Sequence, residues 1–297
     1  MKRGLGLVFL SLCCVHFACK HALSSPERAG GLEGIELDLW TEGETLFVWG
    51  EIEGQKARVV FSSVELGNTL TQNKPCTRGQ RRGKVLAEGK ERQLMQVAWS
   101  LEGKALGGIE AALVEAWEAP KASPSKVVRL RDGFVLESDD TQCLLVVGVQ
   151  QMGFLQMVLE GGRLRFEEAP VVAKGEPIRF AEHPHLGIPF GQFIALVNGK
   201  EIPLRLVLQT SRWPSHLHEN FFKSQGLAEG SLSWEALKLS LEARLPAGSF
   251  ESGGGAQLGR YWPWAEGSLG MKAFECCRLV WSPRQGVAVV QFPAQAP

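Results

Sequence analysis

Reactive chemistry needs carboxylates, histidines, cysteines or activated hydroxyls, and this 297-residue chain is sparing with aspartate and histidine. It has four aspartates, Asp38, Asp132, Asp139 and Asp140, and none follows residue 140. Beyond the first 30 residues its histidines form two pairs, His183-Pro-His185 and His216-Leu-His218. Residues i and i+2 of an extended strand face one side, so either pair offers two nitrogens to zinc or copper. No cysteine or carboxylate stands at ligand spacing around them, and surface histidines are the plainer reading. No metal is therefore assigned, His216 and His218 being the only candidates, and no cofactor is expected. The hydroxyls of Ser62 and Ser63 need an adjacent base to become nucleophiles, and every such histidine lies in the other half of the chain.

The elements that must position these residues read as β-structure. Short runs rich in Val, Leu, Ile and Phe, broken by glycine turns, predict strands at 45–50, 57–61, 94–101, 127–130, 144–149, 193–197, 204–208 and 287–292. Only 219–225 and 233–237 read as helical, and the basic, glycine-containing stretch 78–90 reads as an exposed loop. The two halves echo each other. Gly50 to Phe61 is a hairpin turning at glycine whose second strand empties into Ser62-Ser63-Val64-Glu65. Val197 to Leu208 repeats it and empties into Gln209-Thr210-Ser211-Arg212. Later, Leu144-Leu-Val-Val-Gly148 precedes a strand and the turn Glu160-Gly-Gly-Arg163; Gly267-Ser-Leu-Gly270-Met precedes Arg278-Leu-Val-Trp281 and Pro283-Arg-Gln-Gly286. The same elements in the same order, twice, mark an internal duplication.

With these motifs the sequence resembles the pepsin- and retropepsin-like aspartic proteases. A lobe of that family begins with a hairpin ending in Asp-Thr/Ser-Gly-Ala. It closes with an apolar pair and glycine, often Leu-Gly-Met-Asp, before a strand–turn–strand. Ile202-Pro-Leu-Arg-Leu-Val-Leu-Gln-Thr-Ser211 and Gly267-Ser-Leu-Gly-Met-Lys272 fit that template, and the ordered motifs span residues 31–292. The resemblance implies an all-β, bilobal, acid-protease-like fold. The chemistry departs from it. Each family lobe supplies one aspartate, and the two share a proton and activate water. Here those positions read Ser62 and Gln209, neither of which can serve as a carboxylate base. Val64 and Ser211 replace the family glycines. The resemblance therefore implies a degenerate catalytic site, with Ser63, Thr210, Trp213, Trp262 and Trp264 lining a cleft between the lobes.

Nine tryptophans against one tyrosine suit a groove for an extended peptide or a glycan, or equally burial against the sheets. Zero formal charge leaves no basic field for nucleic acid. Lys2 and Arg3 before the apolar stretch Leu5 to Ala18 form an export signal too short to span a bilayer. Phe17-Ala18-Cys19 resembles a lipobox, giving Cys19 as a lipidation site; ordinary cleavage near Ala22 fits as well. In an oxidising compartment Cys76 and Cys143 are the expected disulfide, with Cys276 and Cys277 a reduced neighbouring pair. The division expected is a signal over 1–19, a tether over 20–30, a first β lobe over 31–170 and a second over 171–297, joined by a connector at 170–192. The expected role is a non-catalytic cell-envelope protein that binds a peptide or protein segment and touches membrane only through an N-terminal lipid. A hydrolase using Ser62 or a histidine-bound metal, or a purely structural envelope protein, are the alternatives.

Overall fold

Two hairpins set the architecture. Thr45–Ile52 returns as Gln55–Phe61, and Pro189–Val197 returns as Lys200–Gln209. Glu53-Gly54 turns with φ of 50° and 72°, and Asn198-Gly199 turns with the same two values. Positive φ at both central residues gives the turn whose twist matches the paired strands. The computed structural model describes residues 31–65, 67–72, 78–87, 90–115, 126–137, 143–152, 155–168, 176–179, 181–182, 189–227, 230–239, 244–253, 265–283 and 286–292. Residues 1–30, with the expected export signal and Cys19, lie outside these, as do Cys76, His183, His185, Trp262 and Trp264.

The wiring around each hairpin is the same. Gln55–Phe61 pairs in parallel with Cys143–Val147, and Lys200–Gln209 pairs in parallel with Gly267–Gly270. Each of those later strands also pairs antiparallel with a short strand just beyond the hairpin, Thr69–Gln72 or Ser215–Leu217. The short strands run parallel to Lys104–Glu115 and Gly248–Ser252 respectively. The first hairpin strands pair outward with Lys90–Leu101 and with Ala236–Lys238. In this arrangement the chain leaving each hairpin passes across the end of a strand that returns much later. It builds one ten-stranded and one nine-stranded sheet.

A third, six-stranded sheet joins the halves. Its order is Glu36–Asp38, Arg163–Glu168, Leu155–Glu160, Arg278–Ser282, Val287–Gln291, Glu176–Arg179, antiparallel throughout. Each half gives a leading strand and a closing hairpin, so a pseudo-twofold passes through the central register Met157↔Trp281, Val158↔Val280, Leu159↔Leu279. All six side chains are buried, Trp281 at 1% exposure. Met157, Leu159, Leu279 and Trp281 belong to one apolar cluster that runs from Leu39 and Phe61 to Leu208 and Val290. At about 25 cal/mol per Å² of apolar surface removed from water, this shared burial is what makes the halves one body.

Most expected strands form within two or three residues of their predicted ends, and Glu219–Ser224 is helical. Three readings need correction. Ser233–Leu237 is not helical: Ser231–Trp234 is a strand burying alternate residues Leu232 and Trp234, and Ala236–Lys238 follows as another. The 78–90 stretch is exposed, but it is no loop. Gln80–Ala87 pairs along Lys90–Leu101, held by backbone bonds with no apolar face to announce it. The connector at 170–192 contains Glu176–Arg179, an edge of the six-stranded sheet, and Ala181–Glu182, paired to Pro189–Val197.

Candidate functional site

The two duplicated loops meet. Ser63 N–H donates to Thr210 Oγ1 (2.9 Å) and Thr210 N–H donates to Ser63 Oγ (3.0 Å). Each hydroxyl then passes its own proton back across the seam: Thr210 Oγ1 to the Phe61 carbonyl (2.8 Å), Ser63 Oγ to the Leu208 carbonyl (2.5 Å). Four bonds close a set in which every donor and acceptor is used. Ser63 is 1% and Thr210 3% exposed, so no water competes. The residues immediately before them, Ser62 and Gln209, are buried at the same seam. Ser62 N–H donates to the Val147 carbonyl at 3.0 Å, and Ser62 Oγ accepts from Val64 N–H at 3.4 Å.

Two glycines let the loops cross the returning strands. A Cβ on Gly148 would lie 2.4 Å from the Gly67 carbonyl, and one on Gly270 would lie 2.1 Å from the Pro214 carbonyl. Both obstacles are backbone, so neither can swing aside. The amides of the same glycines are bound by equivalent side chains, Gly148 N–H by Asn68 Oδ1 (3.0 Å) and Gly270 N–H by Ser215 Oγ (3.1 Å). Asn68 also donates to the Glu110 carbonyl, fixing which end of its amide faces the glycine. The order of strands in sequence reveals this pair of pins only once the loops are known to be equivalent.

Beyond Thr210 the second loop is stitched to the first half. Leu46 N–H donates to the Ser211 carbonyl and Trp213 N–H to the Glu44 carbonyl, both at 2.9 Å, flanking a bridge between Thr45 and Arg212. Arg212 is ion-paired to Glu44. Trp213 is half-buried against the main core, and its carbonyl accepts from Lys272 N–H. The polar backbone of Ser211–Trp213 is thus committed to this seam. Cys143 is in a disulfide, and Cys276 and Cys277 are free, Cys276 exposed and Cys277 buried.

His216 groups with two carboxylates, and His218 is not a member of that group. His218 stands in extended backbone at the start of the Glu219–Ser224 helix, while His216 packs beneath two carboxylates, Glu44 and Glu251. Burial pushes the His216 imidazole below its ordinary pKa; Glu44 and Glu251 oppose this and Arg212 assists it. Sequence reading missed Glu44 and Glu251, which lie far from His216 along the chain and carry no motif.

No protein-family model matches the chain, and no curated protein matches it in sequence. In structure it is similar to the crystal structure of the aspartic proteinase from Irpex lacteus, with a TM-score of 0.52 and 9% identity, covering 88% of this chain and 97% of that one. The scaffold is therefore that of a bilobal, all-β aspartic proteinase. At this identity the likeness is one of fold.

Proposed function

We propose that the protein is a non-catalytic relative of the aspartic proteases, exported to the cell envelope, which binds an extended peptide or protein segment between its two halves. The observation that carries this reading is the closed set of bonds between Ser63 and Thr210. The scaffold keeps its paired loops in register, yet the positions before them hold Ser62 and Gln209. A hydroxyl and an amide cannot share a titrating proton as two carboxylates do, so the family route to an activated water is closed. The Ser63 proton is committed to the Leu208 carbonyl, which also argues against that serine as a nucleophile. The short apolar leader after Lys2 and Arg3 supports export.

The test exposes immobilised protein to a complex peptide mixture from acidic to neutral pH and reads cleaved and retained peptides by mass spectrometry. Selective retention of intact peptides is expected. Cleavage products that disappear in the Ser62→Ala, Gln209→Ala double variant would overturn the reading in favour of a hydrolase of altered chemistry. Neither cleavage nor retention would transfer the weight to a purely structural envelope protein.

A further inference from the structure

Glu44 closes the turn before Thr45–Ile52 in the first half, whereas His216 and Glu251 lie on neighbouring strands of the second. His216 and Glu251 are register partners in the parallel pair of Ser215–Leu217 and Gly248–Ser252, so their Cα positions are fixed by the sheet. Glu44 is fixed by its own carbonyl, which accepts the Trp213 amide. One ligand atom from each of the three side chains lies within 4.8 Å of the other two.

The imidazole is the unusual member. His216 is 1% exposed, and neither ring nitrogen has a hydrogen-bond partner. Leaving a buried polar group unsatisfied is costly, and native proteins rarely tolerate it without a reason. Nδ1 faces the backbone at Gly253, where a Cβ would lie only 3.1 Å away. Nε2 faces Glu44 Oε2 at 3.5 Å, too long for a good N–H···O bond. That separation has another meaning. Two ligands about 2.1 Å from a tetrahedral zinc ion stand roughly 3.4 Å apart. The nitrogen and oxygen are thus spaced as co-ligands.

We propose that Glu44, His216 and Glu251 form a site for a divalent transition ion, best matched to Zn2+, that clasps the two halves of the molecule together. A neutral imidazole with two carboxylates is a nitrogen–oxygen donor set of charge −2, which suits zinc; calcium and magnesium prefer oxygen alone. Glu44 and Glu251 are exposed while His216 lies beneath them, so an ion enters from solvent and meets the imidazole last. Arg212, which shares the Glu44 carboxylate, is the cation that the metal displaces; its side chain is 29% exposed and can turn to water. The clasp does not require the peptide-binding reading, since it rests on Glu44, His216 and Glu251 alone.

Titration calorimetry of Zn2+ into untagged, chelator-stripped protein, with thermal unfolding at each zinc concentration, tests the site. One zinc per chain is expected, with a melting temperature that climbs as zinc is added and falls back with chelator. Glu44→Gln and Glu251→Gln change exposed side chains and leave the metal-free fold intact. Each should weaken zinc binding on the order of tenfold or more, as should His216→Gln. Zinc affinity unchanged in the two glutamine-for-glutamate variants would overturn the proposal and point to histidines elsewhere in the chain. Binding of Mg2+ or Ca2+ as tightly as Zn2+ would overturn it too.

Discussion

Ser63 and Thr210 each serve two backbone groups, so removing one hydroxyl strands both. Thr210→Val keeps the shape but leaves the Ser63 amide without an acceptor and the Phe61 carbonyl without a donor. At about 1–3 kcal/mol for each buried group left unpaired, a loss of roughly 2–6 kcal/mol in denaturant unfolding is expected. Thr210→Ser, which restores the hydroxyl, should recover most of it. Ser62→Ala should cost far less, because its hydroxyl makes only a 3.4 Å contact with the Val64 amide. The adjacent cysteines separate chiefly by burial, Cys276 being exposed and Cys277 buried. Desolvation, aided by Cys276, pushes the Cys277 thiol up to about 12. At mildly alkaline pH a thiol reagent should therefore modify Cys276 in the native protein and reach Cys277 only on unfolding, as peptide mapping would show. At this scale the sequence was partly legible. Ser62, Ser63, Gln209 and Thr210 could be found because each follows a repeated hairpin. Glu44 and Glu251 could not, since nothing along the chain signals which turn lies over His216.

Elements carry the fold through turns and crossings. The hairpins at Glu53-Gly54 and Asn198-Gly199 were readable because local turn chemistry specifies them. Gly270 shows a constraint of another kind. Its backbone is extended, with φ of −85°, so it is required for space rather than conformation. Gly270→Ala would push a methyl into the Pro214 carbonyl and force the loop from its place. A cost of about 1–3 kcal/mol is expected, with Gly148→Ala behaving alike, and both measurable as lowered unfolding midpoints. Misread elements were those where tertiary pairing decides. Ser233–Leu237 mixes good helix formers with an alternating pattern, and the strand pairing to Gly248–Ser252 settles the matter. Lys104–Glu115 was not foreseen because Gly107 and Gly108 interrupt its apolar run; its partners on both sides supply what its composition lacks.

At the scale of the molecule, the cluster through Met157, Leu159, Leu279 and Trp281 belongs to both halves at once. Heat or denaturant should therefore unfold the chain in a single step, with tryptophan fluorescence and far-ultraviolet circular dichroism following the same curve. Two separated transitions would mean that the halves hold together only loosely. Trp281→Ala should cost about 3–5 kcal/mol and should weaken both halves together. Among the described residues no helix is long and apolar enough to cross a membrane.

The central pair of the six-stranded sheet has an ancestral corollary. Suppose the chain were divided between its halves. The first would then bear Leu155–Glu160 as an edge strand, still paired to Arg163–Glu168 but with the backbone groups that face Arg278–Ser282 unpaired and Met157 and Leu159 stripped of their partners in the second half. Because Arg278–Ser282 meets that strand antiparallel about a pseudo-twofold, a second copy of the same strand could take its place, Val158 against Val158. This is the geometry of a closed, self-complementary homodimer. The single chain is laid out as two such protomers joined, and in one chain the two equivalent loops need not match: serine stands at 62 and glutamine at 209.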